Sequence, residues 1–100
     1  MTLLEIQQKI VPLLKQADIE YAGVFGSMAR GEAGSGSDVD ILVKFQKAPT
    51  FSAYLKLDES LRETLNCDID LVTEGALNKF LRPYIEQDLK LIYGQRPHIS

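Results

Sequence analysis

One hundred residues, 45% of them hydrophobic and 25% charged, suit one globular domain with a modest core and exclude a disordered chain. A formal net charge of −3 without any basic block provides no field to hold nucleic acid or anionic lipid, which weighs against stable nucleic-acid binding and a membrane role. Cys67 is the only cysteine, so no intramolecular disulfide can form, and no apolar run reaches membrane-spanning length; a soluble, cytoplasmic protein is the expectation.

The chain opens on Thr2-Leu3-Leu4-Glu5, a capping box with Thr2 at the N-cap and Glu5 three residues on. Leu3, Ile6, Ile10, Leu13, Leu14 and Ala17 then recur at helical spacing, and Pro12 predicts a kink or a break within that helix. Ile19 to Phe25 reads as the first strand. Gly23 inside it would let another backbone come close. Ser27 to Arg30 reads as one short helical turn, and Gly31 to Ser37 as a glycine- and serine-rich loop. Asp38 to Phe45 is the second strand, and the chain turns around Pro49. Phe51 to Leu65 has the spacing of an amphipathic helix. Asp68 to Val72 is the third strand. A helix is predicted from about Ala76 to Gln87 with Pro83 inside it. Leu89 to Tyr93 fits either a last strand or a continuing helix, and Gln95 to Ser100 reads as a tail. The expected fold class is α/β: a small mixed sheet of three or four strands, helices on one face and an acidic site on the other.

The acidic site is expected where two segments meet. Val24-Phe25 ends in the corner Gly26-Ser27, and after the loop Asp38-Val39-Asp40 opens an apolar run. Side chains at i and i+2 of a strand share a face, about 6.5–7 Å apart along the chain. Asp38 and Asp40 can therefore present two carboxylates to a hard cation. Gly26 and Ser27 offer backbone N–H groups and a hydroxyl, donors that suit a phosphate. Carboxylates for a metal beside a phosphate cradle are the parts that phosphoryl or nucleotidyl transfer requires. Asp68-Ile69-Asp70-Leu71 repeats the pattern of Asp38-Val39-Asp40-Ile41. Two such strands side by side would carry one acidic patch backed by a core. Alternation alone does not choose between Asp68 and Asp70 as a third carboxylate.

Other nucleotide and metal motifs are missing. No Gly-Lys-Ser/Thr follows Gly31, Gly34-Ser35-Gly36 leads into a strand where a dinucleotide fingerprint needs a helix, and no Cys/His cluster suits zinc. Cys67 reads as a small packed residue. Tyr21, Tyr54, Tyr84 and Tyr93 read as packing residues, and His98 as a solvated tail residue.

GSMARGEAGSGSDVDILV, followed by Asp68-Ile69-Asp70-Leu71-Val72, resembles the nucleotidyltransferase superfamily: Gly-Ser, a spacer, Asp-x-Asp, and a third acidic residue on a later strand. The resemblance is closest to the minimal nucleotidyltransferases, whose core runs roughly GSxARGxAxxxSDxDLLV and which are encoded beside HEPN-domain toxins. It implies a polymerase beta-like core, with Mg²⁺ held by Asp38, Asp40 and Asp70 and ATP as substrate. Its phosphates would lie over Gly26 and Ser27. Arg30 is open between a phosphate contact and an ion pair with Glu32 or another carboxylate, and Ser37 between a nucleotide contact and a turn former. The resemblance selects Asp70 over Asp68 and gives it a share in deprotonating the acceptor hydroxyl. It further implies an antitoxin that transfers AMP from ATP to a tyrosine of a HEPN-type toxin. Two alternatives stand beside it: an antitoxin that neutralises its partner by binding alone, and a nucleotidyltransferase acting on an RNA 3′ end or a small alcohol.

Overall fold

The computed structural model describes residues 1–31 and 38–95. Its elements follow in the order α1 (Leu3–Gln16), β1 (Ile19–Phe25), α2 (Gly26–Ala29), β2 (Val39–Phe45), α3 (Phe51–Leu65), β3 (Ile69–Thr73), α4 (Arg82–Asp88) and β4 (Lys90–Gly94), with a 3₁₀ turn at Glu74–Ala76. The four strands form one mixed sheet in the order β3-β2-β1-β4. β1 runs antiparallel to β2 and β4, whereas β2 and β3 are parallel, joined by the crossover helix α3.

Both long helices begin where the sequence supplies a cap. The Thr2 hydroxyl accepts from the Glu5 N–H, and Glu5 reaches back to Thr2. The Thr50 hydroxyl accepts from the Ala53 N–H. α1 runs unbroken through Pro12, so of the expected kink or break the break does not occur. Pro12 is exposed, and so is Gln8, whose carbonyl loses its helical donor there, so water can take that donor's place. α3 ends at Asn66, which adopts the left-handed conformation common just past helix ends.

The apolar stripes of α1 (Ile6, Ile10, Leu14) and α3 (Leu57, Leu61, Leu65) pack with Val39, Ile41, Val43, Ile69 and Leu71 into one core. Strand alternation therefore turns Asp40 and Asp70 to the opposite face. That second face is not bare along its length. Leu42, on the same side as Asp40, is fully buried, and Ile85 of α4 is buried to all but 7%. A Cβ at Gly23, the register partner of Leu42, would stand 2.7 Å from the Leu89 Cδ1 and 3.0 Å from the Lys90 carbonyl oxygen. The chain leaving α4 thus passes over Gly23, as its missing side chain suggested. α1 and α3 cover one face, and the short α4 borders the acidic one.

Two elements are clarified by the structure. The helix expected from Ala76 begins only at Arg82, because Pro83 lies in the first turn, where its missing N–H costs nothing, and not in the interior. Lys90–Gly94 is a strand, resolving the ambiguity over residues 89–93. Among the described residues no helix is long and apolar enough to cross a membrane.

Candidate active site

β1 delivers the chain to a corner at Gly26, where φ is +74°, a conformation that side chains rarely adopt. A Cβ at this position would run into the carboxylate of Asp40. The register explains the closeness: Phe25 is the partner of Asp40 across β1 and β2. From Gly26 the chain turns into the four residues of α2, whose N-cap residue, Phe25, offers no side-chain acceptor. Its opening N–H groups have no partners within so short a helix. Ser27 is half-buried in this turn.

Asp40 is the register partner of Asp70 across the parallel β2–β3 pair. The two acidic segments are thus neighbours in the sheet. Burial, and after it the negative charges of Asp70 and Asp38, push the Asp40 carboxyl above the ordinary carboxylate range, while the Arg30 guanidinium pulls it back. Asp38, just before β2, is exposed yet close enough for its charge to act on Asp40. Ser37 lies outside the described residues.

Asp68 is placed differently from Asp70. Both are exposed, but Asp68 precedes β3, and Arg62 of α3 meets it at 3.5 Å. The same guanidinium bonds Asp58 at 2.9 Å and donates to the Ile69 carbonyl at 2.6 Å. Also from α3, the Tyr54 hydroxyl donates to the Leu71 carbonyl at 2.6 Å. Two side chains of one helix thus hold the backbone on both sides of Asp70 and occupy edge carbonyls that would otherwise be open. The sequence placed Tyr54 among the packing residues, and neither bond has a signal in it.

α4 closes the site on its other side. Phe25, Gly26, Arg30, Asp40, Asp70, Tyr84 and Asp88 border an open recess of about 510 Å³. Arg30 bonds Asp88 across it at 2.6 Å and so ties α2 to α4. Of the two open roles for Arg30, the ion pair is present, with Asp88 as its carboxylate.

Among the described residues no three acidic, histidine or cysteine side chains close into a metal cage. The donor chemistry nonetheless fits Mg²⁺. This ion takes oxygen ligands and keeps several positions for water or phosphate, so an incomplete set of carboxylates facing an open recess is what it requires. The repulsion from Asp70 and Asp38, which adds to burial in raising Asp40, is also what a cation would relieve.

Residues 8–98 match the family described as Polymerase beta, Nucleotidyltransferase. A Methanocaldococcus jannaschii protein carrying a provisional protein adenylyltransferase name is 39% identical over 85% of this chain and 89% of its own length. Protein adenylyltransferase MntA of Thermococcus cleftensis is 42% identical over 65% of this chain and 66% of its own. Among solved structures, a toxin–antitoxin crystal structure with AMP-PNP superposes with a TM-score of 0.79 at 26% identity, covering 90% of this chain and 74% of that one. With a match that spans nearly its whole length, this chain belongs to the polymerase beta nucleotidyltransferase family.

Proposed function

We propose that this chain transfers AMP from ATP to a tyrosine hydroxyl of a HEPN-type toxin and acts as the antitoxin of that pair. The observation that carries the reading is the register that sets Asp40 against Asp70 beside the side-chain-free corner at Gly26. The names of the relatives, and the AMP-PNP in the similar toxin–antitoxin structure, support the same substrates.

Asp38, Asp40 and Asp70 would hold Mg²⁺, which would supply charge neutralisation along the triphosphate and polarisation of the α-phosphate. Gly26, lacking a side chain, lets the Asp40 carboxylate lie against the corner where the phosphates would pass. The Ser27 hydroxyl and the opening N–H groups of α2 donate to phosphate oxygens, and Arg30 adds positive charge at the rim. Ser37 has its proposed place beside Asp38, toward the nucleotide. Asp70 accepts the proton of the tyrosine hydroxyl as its oxygen bonds to the α-phosphorus. The bond from that phosphorus to the α,β-bridging oxygen breaks, and pyrophosphate leaves. The proposed compartment is the cytoplasm, where ATP is supplied.

Intact-mass measurement of the toxin after incubation with this chain, ATP and Mg²⁺ tests the reading. The expected result is a toxin heavier by whole AMP units. A toxin silenced without gaining mass would replace transfer with neutralisation by contact.

A further inference from the structure

A short run of large apolar side chains surrounds the start of α4, and its last member borders the recess. Phe80 is 72% exposed, Leu81 49% and Tyr84 74%, and Tyr84 also borders the recess that contains Asp40 and Asp70. Single exposed apolar residues need no explanation, but three within one turn do.

The backbone that carries Phe80 and Leu81 is held in place. The Asn78 side-chain oxygen accepts from the N–H groups of both Phe80 and Leu81 at 2.9 Å, and the Asn78 carbonyl accepts from the Arg82 N–H at 3.0 Å. The Arg82 guanidinium bonds Glu74 at 2.8 Å and Glu86 at 3.4 Å, and Pro83 stiffens the start of α4. The Lys79 ammonium lies 5.3 Å from the centre of the Phe80 ring. A turn fixed this way presents Phe80 and Leu81 with little backbone ordering left to do on binding.

We infer that Phe80 and Leu81, continuing outward from Tyr84, form the docking surface for the acceptor protein, which seats apolar surface around its target tyrosine on them. The inference rests on the transfer reading above and names where the acceptor binds. An acceptor hydroxyl has to enter the recess that Tyr84 borders, so the protein carrying it must cover the surface beside Tyr84. A second copy of this chain fits poorly. Patch against patch, it would bring together two Asp40–Asp70 pairs on chains that each carry a net −3.

The test compares the parent with Phe80→Ser and Phe80→Tyr on two acceptors, the purified HEPN-type toxin and N-acetyltyrosinamide. The small acceptor needs no docking surface. Phe80→Ser is expected to raise KM for the toxin about tenfold or more, a buried aromatic anchor's worth. KM for ATP and transfer to N-acetyltyrosinamide should stay at parental values, and Phe80→Tyr should restore most of the toxin affinity. An unchanged toxin KM in Phe80→Ser overturns the inference. So does a parent that sediments as a dimer and becomes monomeric in Phe80→Ser with toxin kinetics intact. Titration calorimetry of toxin binding separates the two failures. If the parent binds toxin but transfers no AMP, the transfer reading falls, and weaker binding by Phe80→Ser still upholds the surface. Equal binding by both proteins removes the surface.

Discussion

Gly26 and Asp40 compete for one volume: any side chain at Gly26 would occupy the place of the Asp40 carboxylate. Two costs meet at this position. The backbone has φ +74°, which disfavours every residue with a Cβ, and the space is taken.

Gly26→Ala is therefore expected to lose about 1–3 kcal/mol of stability from backbone strain and to displace Asp40. ATP affinity should fall with it. Chemical denaturation and calorimetric titration with AMP-PNP check the two effects. Parental ATP affinity in this variant would mean that the corner is only a turn.

Asp40 also sets a pH dependence. Its carboxyl is raised by burial and by Asp70 and Asp38. A carboxyl raised in the folded state holds its proton longer there than in the unfolded chain. Its contribution to stability is thus fully present below the ordinary carboxylate range and is lost as pH rises through the raised folded value. Without divalent metal, thermal stability should therefore decline across that window. Asp40→Asn should flatten the decline and melt no lower than the parent at neutral pH, while AMP transfer is lost. Mg²⁺ should raise the parent's melting temperature at neutral pH and leave the variant's unchanged. A melting temperature that Mg²⁺ moves equally in both proteins would remove Asp40 from the metal site.

How much of this was legible in the sequence depended on how local the cause was. α3 has the bounds its spacing predicted, because the Leu57-Leu61-Leu65 stripe acts within a few residues. Both acidic segments were visible because alternation is local too. Their pairing was not: the facing of Asp40 and Asp70 depends on a parallel register formed across the whole of α3. The start of α4 was misplaced because Pro83 can break a helix or open one, and only the Asn78 turn decides. Arg30 meets Asp88 across 58 residues of chain, and no spacing rule reaches that far.

That ion pair gives the third prediction. Its side chains are 43% and 20% exposed, so the pair itself is worth roughly 0–1 kcal/mol in stability. If Arg30 also meets phosphate, its two losses separate. Arg30→Ala should weaken AMP-PNP binding by about 1.5–3 kcal/mol, as expected for a charge-assisted bond. Asp88→Asn keeps the guanidinium and should bind the nucleotide at least as well as the parent. Matching small stability losses with unchanged nucleotide affinity in both variants would make Arg30 a strut between α2 and α4 and nothing more.

The last prediction separates Asp70 from Asp68. Both belong to the same acidic segment, but α3 treats them differently. Both are exposed, but Arg62 meets Asp68, whereas Asp70 stands opposite Asp40 between two anchored carbonyls. Asp70→Asn should abolish AMP transfer while keeping much of the ATP affinity, because Asp38 and Asp40 remain. Asp68→Asn should stay active within about a few-fold, since an exposed ion pair contributes little. Tyr54→Phe removes the bond to the Leu71 carbonyl and should cost about 1 kcal/mol in stability. Mass spectrometry of the incubated toxin reads transfer for all three variants, and denaturation reads the stability of Tyr54→Phe. An inactive Asp68→Asn beside an active Asp70→Asn would shift the working carboxylate two residues toward the start of β3 and require Arg62 to release Asp68 for the reaction.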